Sequence, residues 1–283
     1  RIIAPLQTAF VAVSRIHQVR ASSNQLSRFM THEIERSNKD AVNRAPKLTG
    51  DLVFDRVSFR YGQDEPAIVG ASFHASPGEV IAILGRNGSG KSTILKLILG
   101  LYQPQMGSVL LDGHNIRQFD PADIRRQIAY VPQNPQFFEG TIAHNLRLVK
   151  PQASQNQIDL ALSRAGVLDA VNQLPLGLES VITQRQPQMI SQSTLARLSL
   201  ARAYLKDSPI VLLDEPINGL DFEAEYAFVE AISNLKGKAT VFVVTHRPSH
   251  MHASDKVLLL DHGNIAYFGE TEKVKDKIPR EAM

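Results

Sequence analysis

An α/β fold built on a mainly parallel sheet is what this sequence predicts, and three observations lead to it. The apolar runs Val80-Ile81-Ala82-Ile83-Leu84, Ile210-Val211-Leu212-Leu213 and Ala239-Thr240-Val241-Phe242-Val243-Val244 are continuous rather than alternating, as in strands covered on both faces. The first run leads directly into Gly85-Arg86-Asn87-Gly88-Ser89-Gly90-Lys91-Ser92-Thr93 and then into a helical pattern, Thr93–Leu101. Between about 136 and 205 the pattern is mostly helical, so strand–helix alternation surrounds a helical insertion.

Each element follows in order. Residues 1–38 place Leu6, Phe10, Val13, Ile16 and Val19 at helical spacing with Arg15, Arg20 and Arg28 interleaved, which predicts an amphipathic helix whose partner lies elsewhere. Residues 39–50 are polar, contain a proline and a glycine, and are expected to be a linker. The globular domain is expected over 51–283. It opens on an antiparallel β region, with Leu52-Val53-Phe54 and Val57–Tyr61 alternating as a strand and Ala71–Ala75 forming a second before the turn at Pro77-Gly78. After the glycine-rich loop and its helix come a strand and turn at Ser108–Gly113, a polar helix near Asp120–Gln127 and the strand Ile128–Val131. Beyond the insertion and the two apolar strands, Lys256–Leu260 and Asn264–Phe268 form a hairpin about Asp261-His262-Gly263, and a charged helix closes the chain.

With 283 residues a large domain plus an appendage can bury a sizeable core. The net charge of +3 is mild and the basic residues are dispersed, so composition makes no case for nucleic acid. The absence of cysteine excludes disulfides, thiol catalysis and cysteine-held zinc. No run approaches eighteen apolar residues and no signal-peptide layout opens the chain, so this stretch is expected to be soluble. The first residue is not Met, and a piece of a longer polypeptide is expected.

The chemistry concentrates in two places. In Gly85–Thr93 the glycines let successive backbone N–H groups converge on phosphate oxygens, Lys91 supplies a point charge to the β- and γ-phosphates, and the Ser92 hydroxyl can ligate Mg²⁺ at the helix N-terminus. This is the Walker A pattern. Farther on, Leu212-Leu213-Asp214-Glu215-Pro216 ends a buried strand in two carboxylates whose side chains point to opposite sides. Asp214 can hold Mg²⁺ while Glu215 polarises a water attacking the γ-phosphate. Thr245-His246 follows the last apolar strand, where the histidine either hydrogen-bonds the γ-phosphate or caps and packs.

Together Gly85–Thr93, Tyr130-Val131-Pro132-Gln133, Leu213–Pro216, Gly219-Leu220-Asp221 and Thr245-His246 resemble, in order and spacing over about residues 51–270, the nucleotide-binding domain of ABC transporters. The resemblance implies a P-loop NTPase (RecA-like) core with a mainly parallel sheet, an N-terminal antiparallel β subdomain and a helical subdomain at about 136–205. It implies ATP and Mg²⁺ as cofactors and ATP hydrolysis as the activity. It also implies that Tyr61 stacks on adenine, that Gln133 contacts Mg²⁺ and the attacking water while sensing a membrane domain, that Asp221 lies on the loop crossing a dimer interface, and that His246 is the γ-phosphate switch. Gln136–Leu146 resembles exporters of this family, which makes residues 1–38 the cytoplasmic end of a membrane domain on the same polypeptide at the inner membrane. Arg1–Leu6 through Arg15–Ala21 resembles half-transporters of bacterial type I protein secretion.

One motif departs from the family. Where its LSGGQ signature is expected, this chain has Ile190-Ser191-Gln192-Ser193-Thr194, without either glycine. A Cβ at those positions is expected to hold the helix N-terminus back from a γ-phosphate. Upstream, Gln184-Arg185-Gln186-Pro187 replaces a glycine- and acid-containing loop. Because domains of this family dimerise head to tail, the expectation is a heteromeric exporter in which a partner supplies an intact signature. Two other functions remain in view: a regulatory module that binds ATP with little turnover, and a soluble ABC ATPase unconnected with transport.

Overall fold

The computed structural model describes residues 44–183, 190–216 and 222–273, only the backbone of 222–224, and residues 15, 18–20, 22–24 and 27, which are helical. Two compact units divide the chain, Arg1–Ala41 and Val42–Met283. The apolar face expected on Leu6, Phe10, Val13 and Ile16 lies outside the described residues, as do Gln184–Pro187, Gly219-Leu220-Asp221 and the closing helix. Among the described residues no helix is long and apolar enough to cross a membrane.

In the larger unit the strands are β1 (Leu52–Arg60), β2 (Pro66–Ala75), β3 (Val80–Gly85), β4 (Met106–Leu111), β5 (His114–Asn115), β6 (Ile128–Val131), β7 (Gly140–Thr141), β8 (Val181–Ile182), β9 (Ile210–Asp214), β10 (Thr240–Val244), β11 (Lys256–Asp261) and β12 (Asn264–Glu270). Between them run the helices α1 (Lys91–Ile98), α2 (Pro121–Gln127), α3 (Ile142–Arg147), α4 (Gln155–Arg164), α5 (Leu168–Asn172), α6 (Gln192–Lys206), α7 (Phe222–Leu235) and α8 (Pro248–Ala253). The main sheet has the order β12-β11-β3-β10-β9-β6, parallel except for the β11–β12 hairpin. An antiparallel sheet, β2-β1-β4-β5, packs beside it. The helical insertion is α3 to α6, with β7 and β8 pairing as a short ladder that the sequence pattern did not signal.

The continuous apolar runs have their cause in two cores. On one face of the main sheet Val80, Ala82, Leu84, Val211, Leu213, Val241 and Val243 meet the insertion and α7. On the other, Ile81, Ile83, Ile210, Leu212, Phe242 and Val244 meet α1 and the antiparallel sheet. Alternate residues of each strand are thus buried on opposite sides, and polar residues are confined to strand ends, such as Thr240, whose hydroxyl donates to the Gly50 carbonyl at 2.7 Å, and Asp214. Phe242, fully buried, reaches Phe73 of β2 with ring centroids 6.3 Å apart, which joins the two sheets. Burying one such side chain contributes roughly 1.5–3 kcal/mol.

Residues 44–50, from the stretch expected as a linker, form no helix or strand, yet their end is built into the domain. Leu48 is buried and its amide donates to Gln127 Oε1 at 2.9 Å. The Asp112 carboxylate accepts from the Thr49 hydroxyl at 2.7 Å and from the Gly50 and Asp51 amides at 3.2 and 2.9 Å. A residue with a Cβ at Gly50, where φ is +103°, meets Thr240 Oγ1 at 2.5 Å. A charged acceptor 62 residues from Gly50 is what composition could not indicate.

Candidate functional site

Parallel pairing assembles the site. Val244 of β10 sits opposite Asp214 of β9 and Ile83 of β3, and Val131 of β6 sits opposite Leu213. The C-terminal ends of four neighbouring strands therefore lie along one sheet edge, where open α/β sheets bind ligands. From that edge leave the glycine-rich loop after β3, Gln133 after β6, Asp214 and Glu215 at the end of β9, and Thr245-His246 after β10.

The loop conformation depends on its glycines. Gly88 has φ +79° with open space where a Cβ would stand, and Gly90 has φ +101° with a Cβ position 2.5 Å from the Ala67 carbonyl oxygen. Only glycine takes such angles without strain. Gly90 is the N-cap of α1 and makes no side-chain cap, so backbone donors at that helix end face outward. Gly85 also has positive φ, and Ser89 inside the loop is buried, its amide donating to the Arg86 carbonyl at 3.1 Å. The Lys91 ammonium donates to the carbonyls of Gly85 at 2.7 Å and Arg86 at 2.9 Å, across the base of the loop. Its burial lowers its pKa, against the pull of Glu215 and Asp214.

The carboxylates take different surroundings, as their alternate positions require. Asp214 is buried and accepts from the Ser92 hydroxyl at 3.0 Å. Burial raises its pKa; the Ser92 hydrogen bond opposes that, while Glu215 adds to it. Tyr130 hydrogen-bonds the same carboxylate, and its own pKa is pushed up to about 12 by burial and by Asp214. Glu215 has φ +46°, a strained angle for a residue with a side chain, held by its amide donating to the Val244 carbonyl at 3.1 Å. That angle swings its carboxylate between two groups. Gln133 Nε2 donates to Oε2 at 2.8 Å, and His246 Nε2 lies 3.2 Å from Oε1.

An open cavity of about 650 Å³ lies before these groups, lined among others by Tyr61, Asn87, Gly88, Gly90, Lys91 and Gln133. Ser92, Thr93 and Glu215 also line it. Of the expected site residues Gly85, Arg86, Ser89, Asp214 and His246 are not part of its lining. Tyr61 is fixed in the lining, its hydroxyl 3.1 Å from Thr93 Oγ1 and its ring edge-on to Tyr102 at 5.1 Å. The same wall includes Glu65–Ala67 and His262, which sequence reading had not picked out. His262 reaches the site because Leu260 of β11 pairs with Gly85 of β3, and no linear spacing reports that.

The arrangement can receive a nucleoside triphosphate, with phosphates on the loop and α1 and a base near Tyr61. A Mg²⁺ ion fits the donor set of the Ser92 hydroxyl, the Asp214 carboxylate and the Gln133 carboxamide, whose nitrogen and not its oxygen is spent on Glu215. Few hard protein oxygens beside phosphates are what Mg²⁺ uses. When bound, the ion would neutralise developing phosphate charge. The segment Ile190–Thr194 begins α6: Ile190 is buried, and Ser191 caps the helix by accepting from the Thr194 amide at 3.1 Å. Gln192 is exposed and Ser193 half-buried in the first turn.

Below His246 lies a second histidine, His250, only 2% exposed, with Nδ1 2.7 Å from Thr245 Oγ1 and Nε2 without a partner. Burial lowers its pKa to about 4; Glu225 pulls the other way and Arg247 adds to the drop. The unfolded chain takes up this proton below about 6.5 and the folded chain only near 4, so stability holds above pH 6.5 and is lost as the pH falls through that window. The loss amounts to roughly 3 kcal/mol at most. Denaturant melts at steps from pH 7.5 to 4.5 should show it, and His250→Gln should flatten the curve; an unchanged slope would refute the assignment.

The comparisons agree with this geometry. A model of the family described as ABC transporter matches residues 68–218. The chain is 40% identical over 230 residues to an ATP-dependent lipid A-core flippase of Xanthomonas campestris pv. campestris, covering 81% of this chain and 39% of that protein. It is 34% identical over 271 residues to the flippase of the same name from Escherichia coli K12, covering 95% and 46%. A bacterial Atm1-family ABC exporter with ATP bound superimposes with a TM-score of 0.84 at 28% identity, over 94% of this chain and 46% of that one. The chain thus spans less than half the length of these relatives. With the P-loop NTPase fold, the cavity before its glycine-rich loop and these similarities in hand, the chain belongs to the ABC transporter family.

Proposed function

We propose that this domain hydrolyses Mg²⁺-ATP to drive export, as the motor of a longer polypeptide whose membrane domain precedes it, on the cytoplasmic face of the inner membrane. The observation that carries the reading is the Glu215 carboxylate held between Gln133 and His246 beside Lys91, Ser92 and Asp214. Glu215 takes the proton of the attacking water, Lys91 and the loop amides stabilise charge on the transferred phosphoryl group, and His246 meets the γ-phosphate. A regulatory module without turnover has no use for a carboxylate strained into that position, and the exporter relatives speak against an ATPase unconnected with transport.

The dimer we propose is asymmetric. This chain brings a complete set of groups to one nucleotide, while Ile190–Thr194 offers the other nucleotide a helix start lacking both glycines. Losing one preorganised donor to a developing charge typically costs about 10²- to 10³-fold in rate. A half-transporter partner with an intact signature completes the good site. The cargo is chosen by membrane segments; a lipid has the support of the flippase relatives, whereas protein or toxin secretion rests on residues 1–21 alone.

Phosphate release by the purified chain tests the asymmetry. Alone it should run about 10²-fold below the rate reached with an intact-signature partner, and Gln192→Gly with Ser193→Gly should recover at least about tenfold. Full activity of the unmixed chain would sink the asymmetric reading.

A further inference from the structure

Directly behind His246 a polar clamp joins two helices. Glu225 on α7 accepts from two residues that follow this histidine: Arg247 Nη1 pairs with its Oε2, and the Ser249 hydroxyl donates to its Oε1. Both carboxylate oxygens are thereby engaged. The Ser249 hydrogen bond and, next, the Arg247 charge lower the Glu225 pKa against an opposing effect of burial, so the group stays ionised. On the other side of the turn, the Thr245 amide donates to the Ile83 carbonyl at 3.2 Å, and the Thr245 hydroxyl accepts from the Arg247 amide at 3.0 Å. That same hydroxyl also pairs with buried His250. His246 therefore stands between two residues that are each fixed, Thr245 by the sheet and His250, Arg247 by Thr245 and Glu225.

We infer that Glu225 is a positioning residue for hydrolysis, setting through Arg247 and Ser249 where the His246 imidazole stands against Glu215. The inference rests on the hydrolytic role proposed for Glu215 and His246. Glu225 is not part of the lining of the cavity. Its effect is exerted through the backbone of residues 245–249, where a shift of about 1 Å is enough to cost a large factor in rate. The pairing is half-exposed, with Arg247 30% and Glu225 25% accessible, so an ordinary surface ion pair at this place would matter little to stability.

Glu225→Gln keeps the shape and an acceptor for Ser249 and removes only the charge. The expected result in this chain is a fall of about tenfold in kcat with ATP affinity and melting temperature unchanged, and no further fall when Glu225→Gln is added to His246→Ala. A second readout is independent of turnover: the imidazole NMR signals of His246, assigned by their loss in His246→Ala, should move in Glu225→Gln and stay in place in the exposed control Glu230→Gln. Unmoved His246 signals, or an equal loss of kcat with and without His246, would overturn the positioning role. Moved signals in a chain that releases no phosphate would uphold the clamp and overturn the hydrolytic reading instead.

Discussion

Glu215→Gln will leave ATP bound while phosphate release falls by about 10²- to 10⁴-fold, the range that a positioned general base supplies. In energy this is roughly 3–5 kcal/mol of barrier. The substitution is close to isosteric, and Gln tolerates φ +46° no worse than Glu does, so the backbone bond to Val244 is kept. The new amide still accepts from Gln133. What goes is the charge that draws a proton from water, together with the negative field that raises the pKa values of Asp214 and Lys91. Single-turnover phosphate release and ATP affinity, measured on the same preparation, separate these effects. A variant within about threefold of the parent rate would remove Glu215 from the chemistry.

Lys91→Ala should instead abolish tight binding. In the proposed binding mode the ammonium would be the charge nearest the β- and γ-phosphates, and truncating one partner of a desolvated charge pair costs about 2–5 kcal/mol, or roughly 30-fold to several-thousand-fold in Kd. It also leaves the carbonyls of Gly85 and Arg86 without the donor that now spans them, at a further cost of about 1–3 kcal/mol in stability if no water replaces it. Lys91→Arg should restore little, because a planar fork does not replace a compact ammonium in that ring of carbonyls. A thermal-shift titration reads both effects, since ligand at 100 times Kd stabilises by about 2.7 kcal/mol. The variant should start from a lower melting temperature and gain nothing from Mg²⁺-ATP at concentrations that saturate the parent. An undiminished shift would show that Lys91 does not face phosphate.

How much of this was legible beforehand differs from element to element. The strands β3, β9 and β10 announce themselves because burial on both faces leaves unbroken apolar runs. The ladder of β7 and β8 does not, since two residues in each strand carry no period. In the sequence Tyr130 is merely a near neighbour of Gln133, and its bond to Asp214 follows from β6 lying beside β9. Glu225 and His250 carry no motif of their own, and their partners across the turn are visible only in three dimensions.

Residues 80–93 by themselves determined a buried strand, a loop needing left-handed glycines and the uncapped start of a helix, because those properties depend on neighbours a few positions away. They determined that a triphosphate can be held. Only the tertiary structure decided which distant groups gather beside it. Gln133 and Glu215 are 82 residues apart, and Glu215 and His246 are 31 apart, yet all three meet within hydrogen-bonding reach. The physical reason is the pairing of β6, β9, β10 and β3 in parallel register, which brings separate chain segments to one edge and forces Glu215 into the angle at which its carboxylate faces both partners.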